Sequence, residues 1–234
     1  MHKKIDSELV ITQDSERVFI KPTLKHDKSK QFPREATYLI VILYIGYTAL
    51  QILSITIFTG IIWSRIIVFL GWILVGIIGI EILQVSGFKK EEFFLTYHPP
   101  SKKGGLALIA TFLVLIPMII TSHWRGWNLY YSLIEAPISG ITQELFFRAT
   151  LLPFCMEKFK GNNRRGILVH SILFSVWHIG VFWTAPIIAG IFVCLVPFFA
   201  GLVWGWEAQR DKTIFWTILT HTFILIISSF FMWE

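Results

Sequence analysis

The chain has 234 residues, of which 54% are hydrophobic and only 15% are charged, and its mean hydropathy is +0.63. A soluble domain of this length could not bury so much apolar surface, so the composition excludes an ordinary soluble protein. The net charge of +6 does not indicate nucleic-acid binding, because Lys and Arg lie in the N-terminal tail and in short polar loops beside long apolar runs.

The N-terminal 36 residues differ from the rest of the chain. They hold eight Lys or Arg and six Asp or Glu residues, and they predict a polar cytoplasmic tail. Residues 37–234 are predicted to form one transmembrane helical domain, because their apolar runs reach the ~20 residues that a membrane span needs. We place the spans at about 37–60, 64–86, 105–122, 128–153, 166–184, 186–206 and 213–233. The predicted fold class is therefore all-α, a polytopic transmembrane helix bundle of about seven spans.

The distribution of basic residues predicts the orientation of the bundle. With the N-terminus on the cytoplasmic side, the tail and the inner loops contain 18 of the 21 Lys and Arg residues. Arg65 and Arg125 then lie outside, and Arg148 lies within a span. Such a bias favours a multi-pass protein of the cell membrane with a cytoplasmic N-terminus.

Ionisable side chains within the spans cost several kcal/mol each, so each one needs a physical explanation. Glu135 and Glu207 lie near predicted interfaces, where we expect water to reach them. Glu81 is expected to be a solvated or paired carboxylate, and His170 a hydrogen-bonded structural histidine.

The remaining polar groups form a pattern over three spans. Glu144 and Arg148 are four residues apart in the fourth span, so they share a helix face and can pair, whereas Gln143 is rotated by about 100° from Glu144. His178 lies in the fifth span and His221 in the seventh. From the predicted inner interface, Glu144 is about 14 Å deep, His178 about 18 Å and His221 about 12 Å. Three helices thus bring a carboxylate and two imidazoles to one level.

Several functions can use this set of groups. A carboxylate and an imidazole can activate water, and a second imidazole or an amide can stabilise an oxyanion, which together would hydrolyse a peptide bond. A structural hydrogen-bond cluster, or the proton relay of a small transporter, would use similar groups, although the two halves of the chain show no repeat. Glu, His and His could also bind zinc, but no HExxH helix is present, and we expect no metal cofactor.

Three motifs that contain these residues resemble a known family. They are QELFFR at 143–148, FSVWH at 174–178 and HTFIL at 221–225. In order and spacing they are similar to the Glu-Glu-x-x-x-Arg, Phe-x-x-x-His and His-x-x-x-Asn motifs of the CPBP family, the glutamate-dependent intramembrane proteases that include CAAX proteases and bacteriocin-processing (Abi) enzymes. The likeness covers residues 130–230 well, and the motifs themselves fall within 138–225.

The resemblance implies a helical membrane fold, usually of eight spans, whose catalytic cavity opens toward the cytoplasm. It implies that the carboxylate at position 143 or 144 activates water together with His178, and that His221 and the residue at position 225 form an oxyanion pocket. Arg148 and Phe174 complete the motifs as supporting residues. The implied partners are the lipid bilayer and a membrane protein or lipidated peptide as substrate.

This chain departs from the family pattern at two positions. Gln143 stands where the first Glu is expected, and an amide is a poor general base; Leu225 stands where a polar residue is expected. Glu144 could act as base in a shifted arrangement, Gln143 could be an engineered substitution, or the chain could be a natural non-catalytic relative, which Leu225 favours. We predict a glutamate-type intramembrane endopeptidase, with a proteolytically inactive membrane regulator or scaffold that binds a partner protein as the alternative.

Overall fold

The computed structural model describes residues 32–56, 62–121, 123–124, 126, 128–159 and 162–232. Almost all of the predicted tail, and Arg125, lie outside these described residues. The described part forms one unit that begins at Phe32.

Helices dominate the described residues. The α-helices are α1 (Arg34–Thr56), α2 (Ile62–Val85), α3 (Lys102–Thr111), α4 (Leu115–Thr121), α5 (Ala136–Glu144), α6 (Leu152–Lys158), α7 (Asn163–Trp177), α8 (Ile187–Asp211) and α9 (Phe215–Ser228). Three 3₁₀ segments (Lys90–Phe93, Phe112–Val114 and His178–Trp183) and two π-helical segments (Tyr131–Glu135 and Leu145–Leu151) lie between them. The strands β1 (His123–Trp124) and β2 (Phe231–Met232) pair antiparallel over two residues each.

Helical runs occupy all seven predicted positions. Four of them are long and apolar enough to cross a membrane, namely Arg34–Thr56, Arg65–Val85, Asn163–Trp183 and Ile187–Asp211, and Phe215–Ser228 is a shorter apolar helix. The other two runs, α3–α4 and α5–α6, are assembled from shorter pieces. Large apolar side chains of the long helices, such as Ile42, Ile67 and Ile188, remain more than half exposed, as expected for a surface that faces lipid. The predicted fold class, a helical bundle of the membrane, is confirmed.

Each π-helical segment lies directly before a helix that carries proline in its first turn. Tyr131–Glu135 precedes Pro137 of α5, and Leu145–Leu151 precedes Pro153 of α6. Proline has no N–H to donate to the carbonyl four residues earlier, and its ring crowds that carbonyl. The wider turn of a π-helix makes room for the proline ring. The second π segment begins immediately after Glu144 and contains Arg148.

Close helix contacts hold the bundle together around this kinked run. A side chain at Gly140 of α5 would meet the backbone of Thr222 of α9 at 3.3 Å, and one at Gly166 of α7 would meet the backbone of Met156 of α6 at 2.9 Å. At the Asp211 end of α8, the carboxylate of Asp211 accepts hydrogen bonds from the backbone N–H and the hydroxyl of Ser101 (2.9 and 3.1 Å). These contacts hold α5 against α9, α7 against α6, and α3 against the end of α8.

Candidate active site

Glu144, the last residue of α5, is the centre of a buried polar group. Its Oε1 atom accepts a hydrogen bond from Nδ1 of His221 at 2.8 Å and forms an ion pair with Nη1 of Arg148 at 3.0 Å. Glu144 and Arg148 are fully buried and His221 is 5% exposed. Two cationic or N–H groups on one carboxylate offset much of the cost of removing its charge from water. The predicted pairing of Glu144 with Arg148 is therefore present in the structure.

The position of Arg148 is fixed by aromatic rings as well as by its ion pair. The guanidinium carbon lies 4.1 Å from the ring centroid of Phe174 and 5.1 Å from that of Trp204. Such cation–π contacts contribute most where water is excluded. Arg148 thus connects the kinked α5–α6 run to α7 and α8, and it holds the Glu144 carboxylate in one orientation.

His178 lies where α7 gives way to a 3₁₀ segment. Its Nδ1 atom donates a hydrogen bond to the carbonyl oxygen of Phe174 at 2.8 Å, since a carbonyl can only accept. When the imidazole is neutral, Nε2 consequently carries the lone pair and can accept a proton. The rings of His178 and Phe174 are 5.1 Å apart, and those of Phe174 and His221 are 6.0 Å apart.

A cavity of about 210 Å³ lies beside these groups. His178 and His221 both line it, and so does Leu225. The rest of its wall is largely apolar and comes from Leu115, Phe174, Phe192, Val193, Val196, Pro197, Ala200, Trp204, Ile224 and Ser228. Two imidazoles from different helices therefore face one small apolar space, as the depth estimate from the sequence predicts.

Gln143 does not line this cavity, although the motif comparison makes it a catalytic candidate. Its Nε2 donates to the hydroxyl of Ser139 at 2.8 Å, one turn earlier on the same helix. Its Oε1 is buried and makes no hydrogen bond with any described residue. The structure thus brings Glu144, Arg148, Phe174, His178, His221 and Leu225 together, and Gln143 does not face the cavity with them.

Trp204 was not anticipated from the sequence. Its ring lies 4.8 Å from the ring of His221, contacts the Arg148 guanidinium and lines the cavity. Nothing in the sequence distinguishes Trp204 from any other tryptophan in an apolar span, so its place beside the site could not be predicted.

The structure also shows the surroundings of four further ionisable groups, Glu81, Glu135, Glu207 and His170. Glu81 is exposed, as expected. Glu135 is buried and forms an ion pair with the half-exposed Arg65 at 2.5 Å, so the expectation that water reaches Glu135 is wrong. Glu207 is likewise fully buried instead of reaching an interface, because α8 packs it against neighbouring helices. His170 is fully buried, as expected of a structural histidine, and the Phe147 backbone is its nearest hydrogen-bond partner, although neither ring nitrogen reaches full hydrogen-bond geometry with the described residues.

Among the described residues, no three or more His, Cys, Asp or Glu side chains are grouped so that they could hold a metal ion. Whether the protein uses zinc stays a prediction for a direct metal assay.

Comparison with known proteins bears on the segment that forms the cavity. The family model described as type II CAAX prenyl endopeptidase Rce1-like matches residues 102–227. No curated protein and no solved structure matches the chain. The matched segment spans more than half of the sequence and contains the three motifs, so the chain belongs to the Rce1-like family of type II CAAX prenyl endopeptidases.

Proposed function

We propose that this protein is an intramembrane endopeptidase that hydrolyses a peptide bond in a membrane-held protein, near a C-terminal segment such as a prenylated tail. The observation that carries the proposal is the pair of imidazoles, His178 and His221, on one apolar cavity, with His221 bonded to the buried Glu144. A buried, water-poor site strengthens every polar interaction with a reacting group.

His178 is the proposed general base. The hydrogen bond from its Nδ1 to the Phe174 carbonyl fixes the tautomer and leaves Nε2 to take a proton from water. The hydroxide equivalent then attacks the scissile carbonyl carbon, and the proton passes from His178 to the leaving amine. A carboxylate at position 143 would assist this step, and the amide of Gln143 cannot.

His221 is the proposed oxyanion donor. In the proposed step His221 is protonated, so that its Nδ1–H donates to Glu144 and its Nε2–H donates to the developing oxyanion. Arg148 keeps the carboxylate in place through its ion pair and its contacts with Phe174 and Trp204. Leu225 in the cavity wall offers no second donor, so we expect weaker oxyanion stabilisation than a polar residue would give.

The alternative is a protein that binds a membrane-held partner without cleaving it. Two observations favour it: Gln143 is tied to Ser139, and Leu225 takes the place of a polar residue in the cavity wall. In this case the cavity would receive the apolar part of the partner, and the Glu144–Arg148–His221 cluster would hold the helices around it.

A paired assay separates the two functions. The purified chain and its Gln143→Glu version are incubated in a bilayer with a prenylated CAAX peptide that carries a fluorophore and a quencher on either side of the scissile region. We expect slow cleavage by the unaltered chain and a rate increase of up to about 10²-fold to 10⁴-fold in Gln143→Glu, if the new carboxylate turns from Ser139 toward the cavity and takes up the proton of the water together with His178. Gln143→Asn, which keeps an amide, is the matched control and should give no increase.

The other outcomes are equally informative. Binding of the prenylated peptide without cleavage by either version would reject the endopeptidase and support the binding protein. Neither binding nor cleavage would reject both for this class of substrate. Cleavage that persists in His178→Ala but disappears in Glu144→Ala would show that the roles are assigned wrongly.

A further inference from the structure

The cavity beside His178 and His221 has different surroundings at its two ends. Along α8 its wall extends from Trp204, ~10 Å from Asp211, to Phe192, ~28 Å from Asp211. Along α9, which runs back in the opposite direction, the wall extends from His221, whose ring lies 4.8 Å from that of Trp204, to the last helical residue, Ser228. One end of the cavity therefore points toward Asp211, and the other toward the end of the bundle at which α8 begins.

At the end toward Asp211, the cavity is closed by buried side chains. Trp204 and His221 form the wall there and are 2% and 5% exposed. Between them and Asp211, the two helices carry further side chains that are fully buried, namely Glu207, Ala208 and Thr217. Asp211 itself accepts two hydrogen bonds from Ser101 at the start of α3. Within the part of the chain that the structure describes, packed side chains thus separate the cavity from the Asp211 end.

At the opposite end, the cavity wall is less covered. The wall residues that lie furthest from Asp211 are partly exposed on both helices: Phe192, Val193 and Val196 on α8, and Leu225 and Ser228 on α9. The exposure of the wall thus increases with distance from Asp211. Beyond these residues, α8 begins at Ile187, just after the exposed Thr184. The opening of the cavity is therefore on the side of Thr184.

The size and the lining of the cavity limit what it can hold. Its volume of about 210 Å³ exceeds the ~150 Å³ of a cavity that holds one benzene molecule, and it is smaller than the ~300–1,000 Å³ pockets that enclose drug-sized ligands. The wall is largely apolar, so apolar groups gain free energy when they leave water for it. The cavity therefore has room for one or two apolar side chains next to His178 and His221, but not for a whole lipid chain.

We propose that the cavity opens toward the Thr184 end of the bundle, and that it takes apolar side chains beside the scissile bond of a substrate that enters from that half of the membrane. That the occupant is cleaved rests on the proposed function, whereas the direction of the opening does not. With the orientation predicted from the basic residues, this half is the extracytoplasmic one. The opening is then opposite to the cytoplasmic opening that the family resemblance implies, and the substrates are proteins whose scissile bond lies toward the extracytoplasmic face.

Cysteine accessibility tests the direction of the opening without requiring cleavage. Ala200 and Ala208 are a matched pair on α8: both are buried, but Ala200 lines the cavity and Ala208 lies two turns nearer Asp211. Each is replaced by cysteine in the full chain, with the two native cysteines changed to alanine. Right-side-out and inside-out membrane vesicles are prepared from the cells, and a small membrane-impermeant methanethiosulfonate is added to each.

Thr184→Cys and Lys103→Cys, both at exposed positions, identify the two sides of the membrane. We expect Ala200→Cys to be modified from the side that modifies Thr184→Cys, and Ala208→Cys to be modified from neither side. Modification of Ala200→Cys from the Lys103 side, or from neither side, would contradict the proposal. If Ala200→Cys fails to fold, Ser228→Cys at the open end of the wall decides in the same way.

A bulky side chain at the open end provides a second test. Val193→Trp should reduce the modification of Ala200→Cys to the level of Ala208→Cys, because the indole fills the opening. Ile188→Trp is the control and should leave the rate unchanged, since Ile188 is 69% exposed and does not line the cavity. An equal effect of the two tryptophans, or no effect of either, would contradict an opening at Val193.

The apolar occupant is tested by protection of the same cysteine. The capped peptide acetyl-Leu-Leu-Leu-amide should slow the modification of Ala200→Cys, whereas acetyl-Ser-Ser-Ser-amide should not. Equal rates with the two peptides would reject an apolar occupant. Modification from the Thr184 side, in a protein whose Gln143→Glu version cleaves no peptide, would reject the endopeptidase and leave the opening in place.

Discussion

Gln143 and Glu144 are adjacent in sequence but have different surroundings. Successive residues of a helix are rotated by about 100°, so Glu144 faces His221 and Arg148 while Gln143 bonds to Ser139. The sequence predicts the contact of Glu144 with Arg148, because the two are one helical turn apart. It does not predict the bond to His221, which depends on how α9 packs.

Removing the positive partner of the buried Glu144 should destabilise the protein. In Arg148→Met the carboxylate keeps only His221, so we expect a loss of about 3–5 kcal/mol, as is usual when one half of a buried ion pair is removed. The double change Glu144→Gln with Arg148→Met leaves no unpaired charge and should recover much of this loss. Thermal unfolding of the reconstituted protein measures both.

The ion pair between the half-exposed Arg65 and the buried Glu135 is the control for that experiment. Arg65→Met should cost less than Arg148→Met, because the Arg65 side chain is 47% exposed and solvent screens its charge. An effect of Arg148→Met as small as that of Arg65→Met would mean that Glu144 is neutral in the folded protein, contrary to the ion pair.

We predict that the protein is purified without stoichiometric zinc and that a chelator does not reduce peptide cleavage by Gln143→Glu. A zinc site needs three or more protein ligands, and Oε1 of Glu144 and Nδ1 of His178 are already engaged by Arg148 and the Phe174 carbonyl. Elemental analysis and the cleavage rate with and without chelator test this. Stoichiometric zinc, with a rate that chelation abolishes and zinc restores, would contradict it.

At the level of elements, hydropathy predicts where the helical runs lie because a span must be long and apolar. It does not predict the interruptions. The π segment Leu145–Leu151 and the 3₁₀ segment that begins at His178 both occur within predicted spans, and both lie next to site residues. Such local changes of helix type depend on packing against neighbouring helices. The hydrophobic pattern of a single segment carries no information about that packing.

The contact of α5 with α9 can be tested at Gly140. A Cβ there would press against the Thr222 hydroxyl and lie 3.3 Å from the Thr222 backbone nitrogen, next to His221. Gly140→Ala should therefore separate the helices, weaken the Glu144–His221 bond and cost about 1–3 kcal/mol, as overpacking does. The rate of peptide cleavage by Gln143→Glu should also fall when Gly140→Ala is added to it.

Gly46 of α1 provides a matched helical control. Nothing lies within 4 Å of a Cβ added there, so Gly46→Ala should be neutral or stabilise the protein by about 0.4–1 kcal/mol. If Gly140→Ala unfolds at the same temperature as Gly46→Ala, the close approach of α5 and α9 is not needed for the fold.

At the scale of the whole molecule, the helices outside the matched family segment also support the site. The indole N–H of Trp177, next to His178, donates to the carbonyl of Tyr47 in α1 at 3.3 Å, and the Tyr47 ring stacks on Phe146. The sequence indicates α1 only as a hydrophobic span. The sequence likewise places Glu207 at an interface, where the structure buries it. Position along a helix estimates the depth of a side chain in the membrane, but it does not show whether neighbouring helices cover that side chain.

The orientation of the bundle is the last prediction, and the fold makes it testable at two positions. Lys103 lies near Ser101, which is bound to Asp211 at one end of α8, whereas Thr184 lies just before the other end. The 25 residues of α8 span about 37 Å, more than the ~30 Å hydrocarbon core, so Lys103 and Thr184 should be on opposite sides of the membrane. Both side chains are exposed.

With Cys155 and Cys194 replaced by alanine, single cysteines at these two positions report the side of the membrane. Because most Lys and Arg residues lie on the predicted inner side, a membrane-impermeant maleimide added to intact cells should label Thr184→Cys and not Lys103→Cys. Permeabilised cells should label both, which controls for accessibility. The opposite labelling in intact cells would place the N-terminus outside, and labelling of both would mean that α8 does not cross the membrane.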